Sequence, residues 1–431
     1  MLLERYVFDV KDLRFDKPTR LENGTLYIDG AGLKETLSSI PGLSQIDLHL
    51  VKPGEASRII HVLDTIMPMA KDDGRQAYPG NLGPPDLVGN GITRVMPSVA
   101  VMECAALPWT ATGLLYAREA MVDMTGPYAG LSPFSETLNL VLEMELEAGK
   151  SDPEYDHAVR TAGLKAAAYV AQAMAGQEPD RVERYDTTQG RADGLPSIAY
   201  VYQVQNQGPY SNTLLYGKTV DNLVPTVLDP NELLDGALVS GNYVWPCFKV
   251  PTYLHAMSPV VLELYKGHGR DHNFAGVVFS RGHNYSHFDK TRSANIAAKL
   301  VRHLGAQAMV ITWEGGGNAA TDAMLTIQAC EKMGIRSAAI SFEFGGPDGT
   351  EGILLVDDVP EADALVSSGS IEKPIELPRV ERAVGGPFLR LNREMGGEER
   401  EPTAAISFDN TTLMYCAANQ TGFGWLIGRA Y

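Results

Sequence analysis

The pattern of hydrophobic and polar positions separates an early part of the chain from a late part. Over the first 90 residues, short apolar runs such as RYVFDV and IDLHLV alternate with turns and are typical of β-strands. From residue 274 onward, three apolar strand patterns alternate with two helical patterns that end at Gly305 and Gly334. Two successive strand–helix–strand units predict a parallel sheet covered by helices. We therefore predict an α/β fold, with a mixed N-terminal region and a C-terminal parallel sheet that carries helices on both faces.

The middle of the chain carries two further helical patterns and one polar stretch. PEYDHAVRTAGLKAAAYVAQAMAG is rich in alanine, spaces its apolar residues for a helix and ends at Gly176. In SPFSETLNLVLEMELEAG, Ser135 and Glu136 are typical of a helix start and apolar residues follow them, so a helix is predicted here too. The polar stretch GQEPDRVERYDTTQGRADGLPS predicts an exposed connection that leads into the strand IAYVYQVQ.

Composition and charge narrow the class of protein. Hydrophobic residues make up 44% and charged residues 21% of the 431 positions, which is ordinary for a folded globular protein. The net charge of −17 repels nucleic acid and anionic membranes, so neither is an expected partner. No apolar run is long enough to span a membrane, and the first residues lack the pattern of a secretion signal. A cytoplasmic location is expected.

A glycine turn between a strand pattern and a helix pattern is the first candidate binding site. It contains Gly315, Gly316 and Gly317, and bare backbone amides at a helix N-terminus attract anions. The turn lacks the spacing of a nucleotide-binding motif, so the expected ligand is a substrate carboxylate. The alternative is a tight turn that needs residues without a Cβ atom. If the turn binds substrate, Glu314 and the amides of Gly316, Gly317 and Asn318 would hold its charged ends.

The histidines are the second candidate, because five of the nine lie between residues 255 and 287. His268 and His272 are four residues apart, as are His283 and His287, and imidazoles at this spacing bind zinc on a helix. The first pair surrounds a glycine, the second follows a strand pattern, and the sequence has no HExxH motif. Surface or capping histidines are therefore the alternative to a metal-dependent hydrolase, and no metal is expected.

The third candidate is one of four scattered cysteines, whose spacing fits neither a disulfide framework nor a zinc site. They are Cys104, Cys247, Cys330 and Cys416. Apolar neighbours predict that all except Cys247 are core residues. Cys247 follows a proline in GNYVWPCFKVPTYLHA, a segment whose prolines disfavour the middle of a helix. Because Lys249 and His255 nearby can favour a thiolate, Cys247 is either a core residue or a reactive thiol.

Long blocks spread over nearly the whole chain carry a family resemblance. They include GEASRIIHVLDTIMPMAK, PGNLGPPDLVGNGITRVMPSVAVMEC, YDHAVRTAGLKAAAYVAQA, CFKVPTYLHAMSPVVLELYKGHGRDHNFAGVVF and FGGPDGTEGILLVDDVPEADALVSSG. With these blocks in this order, the chain resembles the α/β proprotein of the substrate-specific component B of glycine, sarcosine and betaine reductases.

The resemblance implies a cut before an internal cysteine, which then becomes an N-terminal pyruvoyl group. Cys247 occupies the matching position, so the bond between Pro246 and Cys247 is the expected cleavage site. The implied function is to activate a small amine or amino acid for reductive cleavage of its C–N bond. A thiol- or selenol-bearing reductase subunit would be the partner in a hetero-oligomer. Lys249, Tyr253 and His255 are the neighbours expected to orient Cys247 or to act as acid–base groups.

Cleavage at this bond would divide the chain into an α-subunit-like region, residues 1–246, and a β-subunit-like α/β domain, residues 247–431. Two other functions remain open. One is a non-catalytic scaffold subunit of the same kind of complex, and the other is the metal-dependent hydrolase with its site between residues 268 and 287. The sequence does not distinguish glycine, sarcosine, betaine and other amines as the substrate.

Overall fold

A computed structural model of the chain describes residues 1–106, 120–205, 213–241, 245–344, 346, 358–390 and 399–421. The α-helices of these residues are α1 (Gly30–Ser38), α2 (Asp152–Ala171), α3 (Pro230–Leu234), α4 (Thr252–Ala256), α5 (Pro259–Gly267), α6 (His287–His303) and α7 (Asn318–Lys332). Single turns of 3-10 helix occur at Ala129–Leu131, Pro133–Ser135, Gln172–Met174 and Pro246–Phe248. None of the described helices is long and apolar enough to cross a membrane.

The strands of the described residues are short in most cases. They are β1 (Leu2–Val7), β2 (Asp12–Phe15), β3 (Arg20–Glu22), β4 (Thr25–Ile28), β5 (Leu43–Val51), β6 (Ser57–Ile59), β7 (Val62–Ile66), β8 (Met69–Lys71), β9 (Gly91–Val95), β10 (Val99–Cys104), β11 (Val122–Asp123), β12 (Leu138–Leu146), β13 (Arg181–Asp186), β14 (Ser197–Val204), β15 (Leu214–Leu215), β16 (Lys218–Thr219), β17 (Thr226–Leu228), β18 (Leu238–Val239), β19 (Asn273–Arg281), β20 (Ala308–Trp313), β21 (Arg336–Glu343), β22 (Leu365–Ser370), β23 (Ile375–Leu377), β24 (Arg382–Val384), β25 (Leu389–Arg390), β26 (Glu399–Arg400) and β27 (Ile406–Phe408).

A six-stranded sheet, which we call the central sheet, has the order β17-β19-β14-β20-β21-β22. Five of its strands are parallel, and β17 pairs antiparallel with β19 at the edge. Numbered by their place in the chain, the parallel strands read 2-1-3-4-5, because β19 lies on one side of β14 and β20 on the other. The strand order therefore reverses direction at β14, and ligands of such sheets bind at the carboxyl ends of the strands beside this point.

Helices cover both faces of the central sheet, as predicted. Alternate residues of β14 point to opposite faces, because a strand has a side-chain period of two. Ala199 and Val201 pack in one cluster with small residues of α6 and α7, which lets these helices approach closely. Tyr200 and Tyr202 pack in another cluster with apolar residues of α3 and α5.

The early part of the chain forms two mixed four-stranded sheets, β13-β1-β9-β8 and β5-β12-β10-β7. The helix α2 begins with a capping box in which Ser151 and Glu154 bond reciprocally. Its buried face is rich in alanine, including Ala158, Ala162 and Ala166, and it joins the core of these sheets. The alanine-rich pattern therefore predicted this helix correctly.

Two local predictions were wrong. The segment predicted as a helix after Glu136 is the strand β12, which pairs with β5 on one side and β10 on the other. Its residues from Leu138 to Val141 are buried without alternation, so the sequence has no strand period to reveal it. The stretch predicted as an exposed connection includes β13, an edge strand paired with β1.

Strands from both sides of the Pro246–Cys247 bond share sheets. β14 precedes this bond, yet it lies between β19 and β20 in the central sheet. β24 lies late in the chain and pairs with β6 near its start. The division into residues 1–246 and 247–431 stays a prediction about the products of cleavage, because the two parts interleave in the described fold.

Candidate active site

A buried carboxylate marks the point where the central sheet reverses direction. Gln205 directly follows β14, and Glu314 directly follows β20. The Oε2 atom of Glu314 accepts a hydrogen bond from the Gln205 N–H at 2.7 Å, and its Oε1 atom accepts one from the Val250 N–H at 3.0 Å. Glu314 therefore fastens the segment that follows Cys247 to the carboxyl ends of β14 and β20.

Burial controls the ionisation of this carboxylate. It raises the pKa of Glu314 to about 7, although the two backbone N–H donors and the charge of Lys249 act in the opposite direction. A carboxyl group with a pKa near 7 can give or take a proton close to neutral pH.

Cys247 is the middle residue of the 3-10 turn Pro246–Phe248. Its side chain has no exposed surface and packs with Phe248, Phe342, Ile371 and Ala418. The rings of Phe248 and Phe342 stack with their centroids 4.2 Å apart. The turn therefore packs against β21, and the side chain of Cys247 is buried.

Both carbonyl groups beside the Pro246–Cys247 bond are held by backbone donors. The Pro246 oxygen accepts hydrogen bonds from the N–H of Cys416 at 2.9 Å and from the N–H of Lys249 at 3.3 Å. The Cys247 oxygen accepts one from the N–H of Ala418 at 2.9 Å. A segment near the end of the described chain thus runs alongside the predicted cleavage site.

Lys249 brings a buried positive charge to the same turn. Its Nζ atom donates to the carbonyl oxygens of Leu63 and of Gly241, the latter at 2.8 Å. The same Nζ lies 3.6 Å from Oδ1 of Asp64, a buried residue of β7. Asp64 in turn accepts hydrogen bonds from the N–H and the hydroxyl of Thr252 at the start of α4.

The other two predicted catalytic residues lie on α4 and contact other groups. The Nδ1 atom of His255 is 2.7 Å from the hydroxyl of Tyr202, and burial lowers the pKa of His255 to about 3, so its ring is neutral. Tyr253 donates its hydroxyl hydrogen to the Pro97 carbonyl, and burial raises the pKa of Tyr253 to about 12. Both residues fix α4 in place, and a catalytic role for either stays a prediction.

The glycine turn lies next to Phe342, one of the two stacked rings beside Cys247. A Cβ atom on Gly316 would lie 3.1 Å from the ring of Phe342, so the close approach of this ring favours glycine. Gly317 has φ of +59° and precedes α7, whose first residue Asn318 is exposed. Of the four predicted substrate-binding residues, Glu314 directly contacts the segment after Cys247. Substrate binding by Gly316, Gly317 and Asn318 stays a prediction.

The histidines of the first pair, His268 and His272, bind neighbouring groups of the chain. Nδ1 of His268 accepts a hydrogen bond from the Phe274 N–H, and Nε2 of His272 lies 3.0 Å from the Leu264 carbonyl oxygen. His287 is exposed at the start of α6. Among the residues that the structure describes, no group of three or more His, Cys, Asp or Glu side chains could hold a metal ion.

Comparison with known proteins identifies the family. A family model described as glycine/sarcosine/betaine reductase component B subunits matches residues 1–428. The chain belongs to this component B family. The resemblance found in the sequence is therefore confirmed.

Individual relatives in the component B family match at similar levels. The glycine reductase complex component B subunits alpha and beta of Acetoanaerobium sticklandii are 37% identical over 87% of both chains. The protein of the same description from Peptoclostridium acidaminophilum is 35% identical over 98% of both chains. The sarcosine reductase complex component B subunit alpha of Peptoclostridium acidaminophilum is 36% identical over 89% of both chains. No solved structure matches the chain.

Sequence reasoning missed two residues of this candidate site. Asp64 lies in an apolar strand early in the chain, and Cys416 was assigned to the core because of its apolar neighbours. Cys416 is buried as predicted, with 0% of its surface exposed, and Asp64 is 3% exposed. Their proximity to the turn depends on pairing between distant segments, which leaves no local signal in the sequence.

Proposed function

We propose that this chain is the substrate-activating subunit of a multi-subunit reductase that cleaves the C–N bond of a small amine or amino acid. Its reactive group would be a pyruvoyl group formed from its own Cys247. Membership of the component B family supports the role in a reductase complex. A relative whose single chain is described as subunits alpha and beta supports an internal cut.

The observation that carries the proposal is the position of the Pro246–Cys247 bond. The bond lies in a buried turn that Lys249 directly follows, and Glu314 ties the residues after it to the carboxyl ends of β14 and β20. This is the part of a parallel sheet at which ligands bind. A positive charge close to a cysteine favours the reactive thiolate form.

The chemistry of the cut balances without an outside oxidant. The Cys247 thiolate attacks the Pro246 carbonyl carbon, and the C–N bond breaks to give a thioester and a free amino group. Residue 247 then loses its Cα proton and its Cβ–S bond breaks, which leaves a dehydroalanine at residue 247 and a thioacid on Pro246. Water then converts the Cα carbon, which carries the nitrogen, to a ketone. A second water hydrolyses the thioacid on Pro246. Overall, two waters are consumed, and one ammonia and one hydrogen sulfide are released.

The residues around the turn fit a pyruvoyl group formed at position 247. Ala418 holds the Cys247 carbonyl, and Cys416 holds the Pro246 carbonyl, so both sides of the bond stay fixed when it breaks. Lys249 favours the thiolate that starts the cut, and Glu314 can exchange protons near neutral pH. When formed, the pyruvoyl group supplies a ketone that combines with a substrate amine and withdraws electrons from it.

The chain needs a second protein for the reductive step. All four of its cysteines are buried, so none is exposed to serve as the nucleophile that displaces the amine. A partner subunit would therefore bring a thiol or selenol. Relatives described as acting in glycine and in sarcosine reductase complexes are 37% and 36% identical, so identity alone does not choose between a primary and a secondary amine.

Mass spectrometry of the purified, denatured chain tests the cut. We expect two fragments, residues 1–246 and 247–431, whose summed mass equals the full chain plus two waters minus ammonia and hydrogen sulfide. Borohydride added with labelled glycine or sarcosine should attach the label to the second fragment only. A single species of full-length mass would refute the conversion of Cys247.

The variant Cys247→Ala serves as the control for the function. It should remain a single chain, bind no label and give no turnover when it is combined with the partner subunits. Full turnover of the complex that contains Cys247→Ala would instead identify the chain as a non-catalytic scaffold.

A further inference from the structure

The Pro246 carbonyl oxygen accepts hydrogen bonds from two backbone N–H groups. The Lys249 N–H belongs to the same turn, and the Cys416 N–H comes from the other end of the described chain. Two N–H groups on one carbonyl oxygen are the arrangement that stabilises the negative charge of a tetrahedral intermediate. This oxygen is the one that would become negative when the Cys247 thiolate attacks.

Cys416 has an unusual backbone conformation that directs its N–H. Its φ is +66°, in the left-handed region that side chains other than glycine rarely adopt. Residues held in this region are often found where the backbone serves a function. The side chain of Cys416 is fully buried, so the conformation is part of a packed structure rather than of a surface loop.

The segment from Thr411 to Thr421, which we call the C-terminal brace, is itself held in place. Met121 exchanges backbone hydrogen bonds with Leu413 and Tyr415 on one side of it. Asn419 donates its side-chain N–H to the Cys416 carbonyl at 3.1 Å and accepts from Thr421. The Cys416 N–H is therefore fixed before any reaction begins, which is what makes an oxyanion donor effective.

We propose that the N–H groups of Cys416 and Lys249 form the oxyanion hole for cleavage of the Pro246–Cys247 bond. The role follows from the cleavage proposed above and assigns the first step of it to the backbone of the C-terminal brace. Cleavage then starts only after residues 411–421 have been synthesised and packed against the turn. The order protects the chain from being cut before both parts have folded together.

A backbone ester tests the role of the Cys416 N–H in the full-length chain. Cell-free translation with a suppressor tRNA can place either alanine or lactic acid at position 416, and the two differ only in replacing N–H by oxygen. We expect cleavage of the lactic acid variant to be slower by about 10²–10³, the usual effect of removing one oxyanion donor. Hydroxylamine, which intercepts thioesters, should not restore the rate, because the first step is the one affected.

Lactic acid in place of Ala417 is the matched control. The Ala417 N–H donates to the Met414 carbonyl within the C-terminal brace and to neither carbonyl of the Pro246–Cys247 bond, so the control should cleave within about tenfold of the unmodified chain. Equal rates for alanine and lactic acid at position 416, or equal slowing at both positions, would overturn the oxyanion hole. Failure of the unmodified chain to cleave in the same reaction would instead refute the proposed function itself.

Discussion

Two buried triads of lysine, aspartate and threonine occur in this molecule, and they are built differently. The first triad consists of Lys71, Asp235 and Thr93, and the second triad consists of Lys249, Asp64 and Thr252. All six residues are less than 9% exposed. In each triad the threonine hydroxyl donates to the aspartate at 2.5 Å.

In the first triad, the lysine directly contacts the aspartate. Nζ of Lys71 lies 2.6 Å from Oδ2 of Asp235, and it also donates to the hydroxyl of Thr93 at 2.8 Å. The N–H of Gly89 donates to the same Oδ2 atom at 2.6 Å. Nζ of Lys71 also donates to the Asn90 carbonyl at 2.9 Å. The lysine charge directly contacts the carboxylate, so this triad joins β8 and β9 to the segment after α3.

In the second triad, the lysine lies farther from the aspartate. Nζ of Lys249 lies 3.6 Å from Oδ1 of Asp64 and donates instead to backbone carbonyls, while Asp64 binds the first residue of α4. Because the two charges are farther apart than in the first triad, they attract each other less strongly and more of the lysine field acts on the surrounding turn. Similar residues thus serve stability in one place and, we propose, the ionisation of Cys247 in the other.

The largest expected effect on stability is that of Lys71→Met. The variant leaves Asp235 buried without its cation, which should lower the free energy of unfolding by about 3–5 kcal/mol. The cleavage rate of the folded fraction should not change. Urea unfolding followed by circular dichroism measures the loss, and the double variant Lys71→Met/Asp235→Leu should recover part of it. A change in the cleavage rate of Lys71→Met would contradict the difference between the triads.

The largest expected effect on chemistry is that of Lys249→Met. Without the buried positive charge the thiolate of Cys247 is disfavoured, so cleavage should slow by about 100-fold. The rate is measured by mass spectrometry on freshly synthesised chain, per molecule that remains folded. Lys71→Met is the matched control, since it removes the same kind of side chain from the same kind of triad. Cleavage of Lys249→Met at the unmodified rate would leave the lysine with a purely structural role.

The two triads also show what the sequence could and could not predict. Lys249 and Cys247 were found because they share one short segment, and Glu314 because it follows a recognisable strand pattern. Asp64 and Cys416 were missed because only strand pairing between distant segments brings them to the turn. The sheet and its helices were predicted from their periodicity, whereas β12 was taken for a helix because it is buried on both faces.

Glu314, the acidic neighbour of the second triad, should give stability a specific pH dependence. Its folded pKa of about 7 is above the ordinary value, so its stabilising contribution is complete below pH 4.5 and is lost as the pH rises through 7. The slope from this group is at most about 1.4 kcal/mol per pH unit. Unfolding of Glu314→Gln measured from pH 5 to pH 8 should lack this slope, and the exposed Glu263→Gln should keep it. Identical curves for the two variants would show that the burial of Glu314 does not affect its titration.

The smallest expected effects come from the two threonines, and they compare the triads most directly. Thr93→Val and Thr252→Val each remove one buried hydroxyl that donates to an aspartate, so each should lower the free energy of unfolding by about 1 kcal/mol. Only Thr252→Val should also slow cleavage, because the Thr252 hydroxyl donates to Asp64 and so helps to hold this carboxylate beside Lys249. Thr252→Ser retains the hydroxyl and should restore the rate. If both valine variants slowed cleavage equally, the two triads would be equivalent supports of the fold, and the position of Lys249 beside the cysteine would have no separate effect.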